Sequence, residues 1–137
     1  MKRITIIGTG YVGLVSGAGL SEFGNAVTCA DIDQKKIDQL KSGEIPFYEP
    51  DLESLVKKNR DKGLLQFSSD VPGTIQNADV IFIAVGTPQG NNGEANLDAV
   101  ELVAKTIGEN LNGYKTTIEF NLPPKNYLKL AKTLSHF

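Results

Sequence analysis

The segment from Lys2 to Asp31 constrains the fold of this chain more than any other part of its sequence. An apolar run over residues 4–7 is followed directly by the glycine-spaced turn GTGYVG at residues 8–13. A segment of helical character comes next, and a second apolar run over residues 26–30 ends in Asp31. Strand, Gly-x-Gly-x-x-Gly turn, helix, strand and acid, in this order, indicate a βαβ unit that binds a dinucleotide.

The three glycines of this turn have separate physical roles. Gly8 lets the chain turn sharply away from the first strand, and Gly10 leaves no Cβ between the backbone and a pyrophosphate. Gly13 lets the helix lie close against the first strand. The helix N-terminus then offers unpaired N–H groups and a partial positive charge to phosphate groups. Glycines that only marked a turn would not require the two flanking strands, the helix and the acid, which are all present here.

Asp31 indicates which dinucleotide is bound. It follows Gly13 by 18 residues, at the position where a carboxylate accepts hydrogen bonds from the ribose of an adenosine. The same charge would repel a 2′-phosphate, so NAD is favoured over NADP. Lys36 is predicted in the first turns of the next helix, on the side of the adenosine. A cofactor contact and a solvated surface lysine explain that position equally well.

Strands and helices alternate along the rest of the chain. In the first helix, Gly17, Ala18 and Gly19 are expected to keep the turns slim, while Val12, Val15 and Leu20 give the helix an apolar stripe. Periodicity and capping residues predict further helices over about 34–41, 51–61, 97–111 and 125–134, a helical turn to residue 75, and strands over 64–67, 80–85 and 115–120. This alternation predicts an α/β fold of Rossmann type. It is a doubly wound parallel sheet of about five or six strands in the order 3-2-1-4-5, with helices on both faces.

The loop after the fourth strand is the second part of the predicted site. That strand, Val80 to Val85, is continuously apolar and is therefore expected to be central and buried on both faces. In the predicted order it lies beside the first strand, so Gly86, Thr87 and the turn of residues 8–13 flank one crevice. Thr87 is then placed near the nicotinamide half of the cofactor. A local hydrogen bond within the loop would explain this threonine equally well.

Composition limits the other functions that the chain could have. The 137 residues suit one domain, and 14 basic against 16 acidic side chains give no electrostatic basis for binding nucleic acid or an anionic membrane. No apolar run approaches the ~20 residues of a membrane span. The single cysteine, Cys29, suits a reducing cytoplasm and is expected to be buried and unreactive. No metal-ligand spacing occurs. His136 is assigned no role. Glu49 is interpreted either as an acid that faces the crevice or as a carboxylate that interacts with the dipole of the helix that follows it, and the dipole explains its position adequately.

Four motifs together resemble a known family: GTGYVGL, CADID, IPFYEPDLESLV and VGTPQGNNGEANL. Over roughly residues 1–116 they look like the NAD-binding domain of the UDP-glucose/GDP-mannose dehydrogenase family. Those enzymes oxidise the 6-hydroxymethyl group of a sugar nucleotide to a carboxylate in two NAD-dependent steps. The resemblance implies UDP-glucose as the substrate of the complete enzyme, with GDP-mannose or a UDP-N-acetyl-hexosamine as alternatives. It also implies the cofactor contacts: the backbone of Tyr11 and Val12 at the pyrophosphate, Asp31 and Lys36 at the adenosine, and Gly86 and Thr87 after the fourth strand.

Two features depart from the pattern of that family. Residues 117–124 read TIEFNLPP, where the family has a Ser-Thr-Val-Pro type of motif whose threonine reaches the cofactor. The chain also stops at Phe137, and the resemblance implies that the catalytic cysteine and the substrate-binding domain belong to later segments. We therefore expect one NAD-binding domain over residues 1–137, a fragment that binds NAD without turnover and has no catalytic residue. Complete members are expected to be homo-oligomers, and the oligomeric state of this chain is left open.

Three other functions stay open from the sequence. A different NAD-dependent dehydrogenase, for example one for a hydroxyacyl substrate, would share the glycine turn but not the Tyr-Glu-Pro and Val-Gly-Thr-Pro motifs. A non-enzymatic NAD-sensing module would suit the short length. A domain that binds no ligand would not explain why the glycine turn, the helix and Asp31 occur together at the spacing of a dinucleotide-binding unit.

Overall fold

A computed structural model describes residues 1–120, which form a five-stranded sheet and five helices. The strands are parallel and their order across the sheet is β3-β2-β1-β4-β5, which confirms the predicted fold class and strand order. The predicted helix over residues 125–134 and His136 lie outside the described residues. The elements in chain order are β1 (Arg3–Ile7), α1 (Tyr11–Glu22), β2 (Ala26–Ala30), α2 (Gln34–Lys41), α3 (Leu52–Asp61), β3 (Leu65–Ser68), α4 (Val71–Asn77), β4 (Val80–Ile83), α5 (Asp98–Glu109) and β5 (Thr116–Glu119).

Two apolar clusters pack on opposite faces of this sheet. On one face, Ile6 of β1 belongs to a cluster with Leu14 of α1 and residues of α2 and α3. On the other face, Ile7 belongs to a cluster with Ile75 of α4 and Ile107 of α5. Successive side chains of a strand point to opposite faces, so β1 is covered from both sides. The helices therefore hold the central strand in place, together with the turn that begins at its carboxyl end.

The buried face of α1 differs from the predicted stripe. Val12 is exposed, and Val15 and Leu20 are only partly buried. α1 lies so close to the sheet that a Cβ on Gly17 would overlap the Sγ of Cys29 in β2. Small side chains are needed at such a short separation, as predicted for Gly17 and Ala18, but these residues form the buried face in place of the predicted apolar stripe. The buried residues of α1 are Gly13, Leu14, Gly17, Ala18 and Ser21.

β4 is shorter than predicted and is buried less evenly. It ends at Ile83, and its side chains alternate, with Ile81 and Ile83 fully buried but Val80 and Phe82 only half-buried. Val80 and Phe82 lie on the α1 face of the sheet and pack against the cluster that contains Leu14. Phe120 stacks on Phe82 there, with ring centroids 5.3 Å apart. β4 is therefore central, as predicted, but among the described residues only one of its faces is fully buried and the other is partly buried.

Candidate dinucleotide-binding site

The carboxyl ends of β1, β2 and β4 meet at Gly8. The N–H of Gly8 donates to the carbonyl of Ala30 at 2.8 Å, and the N–H of Ala84 donates to the carbonyl of Ile7 at 2.8 Å. Gly8 has a φ of +111°, and a Cβ on it would lie 2.6 Å from the carbonyl oxygen of Ala84. Both the dihedral angle and the space therefore require glycine at the point where the chain leaves β1.

The N-terminus of α1 is open to an anion. Leu14 donates the first helical hydrogen bond to the carbonyl of Gly10, so the N–H groups of residues 11–13 precede the intrahelical ladder. α1 has no acidic residue in its first turn, and a Cβ on Gly10 would meet nothing within 4 Å. A Cβ on Gly13 would overlap the carbonyl oxygen of Gly8. The helix start is thus pressed against the strand on one side and is free to approach a phosphate on the other.

The carboxylate of Asp31 is held beside this turn. Its Oδ2 accepts hydrogen bonds from the backbone N–H of Thr9 at 3.1 Å and from the Thr9 hydroxyl at 2.8 Å. Its Oδ1 accepts from the N–H of Asp33 at 3.0 Å. Thr9 is 2% exposed, whereas Asp31 is half-buried. Sequence reasoning found Asp31 but missed Thr9, although a hydroxyl residue between the first two glycines was a readable signal.

The start of α2 adds two residues near Asp31. Asp33 caps the helix by accepting from the N–H of Lys35 at 3.0 Å and of Lys36 at 3.3 Å, as its residue type predicted. The side chain of Lys36 is exposed. Ile32 is 80% exposed directly after Asp31, and a large aliphatic side chain in that position offers a flat apolar surface. The sequence analysis did not single out Ile32.

The loop after β4 carries the remaining predicted positions. Gly86 is exposed and Thr87 is half-buried, and they follow the strand that pairs with β1. Beyond them the loop folds back on itself: the N–H of Asn96 donates to the carbonyl of Pro88 at 2.6 Å, and Gln89 and Ala95 form an antiparallel bridge. Gly86 and Thr87 therefore stand at the base of a folded loop, on the same sheet edge as the glycine turn.

Tyr11 connects the first turn of α1 to the segment before α3. Its hydroxyl donates to Oε2 of Glu49 at 2.9 Å, and its ring centroid lies 5.2 Å from that of Phe47. The hydrogen bond to Glu49 raises the pKa of Tyr11 above its ordinary value. The side chain of Glu49 therefore also anchors Tyr11, a contact that was not predicted from the sequence. Residues 38 positions apart give no local signal of such a pair.

The other titratable candidates lie outside the glycine turn. Burial raises the pKa of the Cys29 thiol to about 12, so Cys29 is the unreactive buried side chain that was predicted. Glu119, at the end of β5, is half-buried, and desolvation raises the pKa of its carboxyl to about 7. Among residues 1–120, no group of three or more His, Cys, Asp or Glu side chains could hold a metal ion. No helix in the same range is long and apolar enough to cross a bilayer.

Comparison with known proteins identifies the group to which this geometry corresponds. The model of the UDP-glucose/GDP-mannose dehydrogenase family, NAD binding domain, matches residues 2–134. UDP-glucose 6-dehydrogenase TuaD of Bacillus subtilis is 52% identical over 134 residues, which are 98% of this chain and 29% of that protein. A ternary complex of GDP-mannose dehydrogenase from Pseudomonas aeruginosa superposes with a TM-score of 0.90 at 34% identity, over 96% of this chain and 31% of that one. UDP-glucose dehydrogenase from Pyrobaculum islandicum gives a TM-score of 0.93 at 28% identity, over 99% and 33%.

Proposed function

Because this chain belongs to the UDP-glucose/GDP-mannose dehydrogenase family and forms its NAD-binding domain, we propose that its crevice residues hold NAD in a defined orientation. The N–H groups at the start of α1, including those of Tyr11 and Val12, bind the pyrophosphate. Asp31 accepts hydrogen bonds from the adenosine ribose, with Lys36 beside it. Gly86 and Thr87 border the nicotinamide half.

One observation carries this proposal. The carboxylate of Asp31 is fixed by three hydrogen bonds next to a helix N-terminus that has no acidic residue in its first turn. An anion-binding site and a hydroxyl-binding carboxylate then lie side by side, which matches the pyrophosphate and ribose of one dinucleotide. We add Ile32 to the predicted contacts, because its exposed side chain offers an apolar surface to the adenine ring.

The substrate belongs to the same proposal. The chain spans about 29% of the length of TuaD, a UDP-glucose 6-dehydrogenase to which it is 52% identical over the matched residues. We propose that in a longer protein this domain supplies NAD for the oxidation of UDP-glucose. GDP-mannose and UDP-N-acetyl-mannosamine are the alternatives that the related structures suggest.

The 137-residue chain by itself is proposed to bind NAD without turnover. Hydride transfer needs a substrate held about 3–3.5 Å from the nicotinamide. The one cysteine of the sequence is fully buried in β2 and is protonated at neutral pH, so it cannot act as a nucleophile on a sugar nucleotide.

A thermal-shift titration of the purified chain with NAD, NADP and UDP-glucose tests the proposal. A ligand present at ~100 times its Kd stabilises the fold by ~2.7 kcal/mol, which raises Tm measurably for a domain of this size. We expect a rise with NAD, a smaller one with NADP, and no NADH absorbance when NAD and UDP-glucose are added together. Asp31→Ala is the matched variant and should lose most of the NAD response. A cooperatively unfolding protein with no response to NAD would refute the site.

A further inference from the structure

We propose that Thr9 is a positioning residue that determines how strongly the domain prefers NAD to NADP, acting through Asp31. This inference rests on the NAD site proposed above. Thr9 lies between the first two glycines of the turn, at a position that the general Gly-x-Gly-x-x-Gly fingerprint leaves unspecified. Its hydroxyl nevertheless makes a short hydrogen bond to the carboxylate, 2.8 Å from Oδ2.

The hydrogen bonds of Asp31 leave its carboxylate little freedom. A carboxylate has about four acceptor positions, and three are taken, two on Oδ2 by Thr9 and one on Oδ1 by the N–H of Asp33. Rotation of the side chain would break at least one of these bonds. The one acceptor position that remains lies on Oδ1, so the carboxylate is already oriented before a ribose hydroxyl binds.

The contribution of Thr9 is specific to its side chain. Any residue except proline would supply the backbone N–H at this place, but only serine or threonine would also supply a hydroxyl. Thr9 is 2% exposed, so its hydroxyl is sheltered from competing water. Hydrogen bonds to an ionised acceptor are also about twice as strong as those between neutral groups. The hydroxyl is therefore a substantial part of what holds Asp31 in place.

A fixed carboxylate affects the two cofactors in opposite ways. For NAD, an acceptor that is already oriented lowers the ordering cost of binding the ribose. For NADP, a 2′-phosphate would bring a second anion beside the carboxylate, and the repulsion falls only if Asp31 turns away toward solvent. Asp31 is half-buried and could turn if its hydrogen bonds were weaker. Thr9 keeps it facing the ribose, so the repulsion cannot be relieved.

The test compares Thr9→Val, which keeps the shape of the side chain, with Thr9→Ser, which keeps the hydroxyl. The Kd of each protein for NAD and for NADP is measured by isothermal titration calorimetry. We expect Thr9→Val to weaken NAD binding by about tenfold, in line with loss of a hydrogen bond to a charged group, and not to weaken NADP binding. The ratio of the two Kd values then shifts toward NADP. Thr9→Ser should restore the ratio of the unaltered protein.

The same comparison in an Asp31→Ala background shows whether Thr9 acts through Asp31. There, Thr9→Val should leave the ratio of Kd values unchanged. An equal loss of affinity for both cofactors, or a change of ratio that persists without Asp31, would overturn the positioning role. If the unaltered chain bound neither cofactor, the proposed function itself would fail.

Ligand-free thermal unfolding shows whether each variant folds, and Thr9→Ala replaces Thr9→Val if the valine variant does not fold. If neither variant folded, the hydroxyl would be structural and the inference would be wrong.

Discussion

Gly17→Ala should destabilise the domain, because Gly17 is where α1 lies closest to β2. A Cβ at this position would overlap the Sγ of Cys29 and would lie 3.4 Å from Cδ1 of Ile6. Both neighbours are fully buried, with 0% exposure, so neither can move into open space. Overpacking of this kind typically costs about 1–3 kcal/mol, while alanine gains about 1 kcal/mol over glycine inside a helix. We expect a net loss of up to about 2 kcal/mol in the free energy of unfolding, or up to roughly 7 °C in Tm.

Two further variants isolate the cause of that loss. Gly19→Ala lies in the same helix, and its Cβ would meet nothing within 4 Å, so it should be neutral or stabilising by up to about 1 kcal/mol. Cys29→Ala removes the Sγ, so adding Gly17→Ala to it should cost nothing further. Urea denaturation of the three single variants, the double variant and the unaltered chain gives the free energies of unfolding. The interaction energy between Gly17→Ala and Cys29→Ala should be at least about 1 kcal/mol.

Close packing of α1 on β2 at Gly17 would be refuted if Gly17→Ala were as stable as Gly19→Ala. It would also be refuted if Gly17→Ala and Cys29→Ala were simply additive. Either result would mean that α1 is not pressed against β2 at this point, and the close approach of the glycine turn to the sheet would need another explanation.

Three more outcomes are expected. Desolvation raises the pKa of Glu119 from 4.5 to about 7, so the folded state favours the protonated carboxyl. The urea midpoint of unfolding should therefore fall as pH rises from about 4.5 through 7. Glu119→Gln should remove this part of the pH dependence. Asp51 has a φ of +65° and makes no capping hydrogen bond with its side chain. Because glycine adopts a positive φ without strain, Asp51→Gly should stabilise the fold by up to about 1 kcal/mol. A lower urea midpoint would contradict this. Glu49→Gln should lower the raised pKa of Tyr11, as followed by tyrosine ¹³C chemical shifts at alkaline pH, whereas an unchanged titration would show that the hydrogen bond is absent in solution.

Most residues of the proposed nucleotide site lie in one continuous stretch of sequence. The turn of residues 8–13, the helix and Asp31 lie within about thirty residues, so spacing alone relates the proposed phosphate site to the proposed ribose site. Asp33 was likewise predictable as a cap, since capping depends on neighbours two and three residues away. Alternating apolar runs were enough for the strand order, because right-handed crossovers leave few arrangements for such a chain.

The sequence by itself therefore determined the fold class, the strand order, the glycine turn and the placement of Asp31 at the end of β2. Tertiary structure alone decided that Thr9 donates a hydrogen bond to Asp31, that Tyr11 donates one to Glu49, and that Gly17 and Ala18 are buried whereas Val12 is exposed. The physical reason is the range of each interaction. Caps, turns and strand periodicity depend on residues a few positions apart, whereas these contacts depend on how closely separate elements pack and on which side chains that packing brings together.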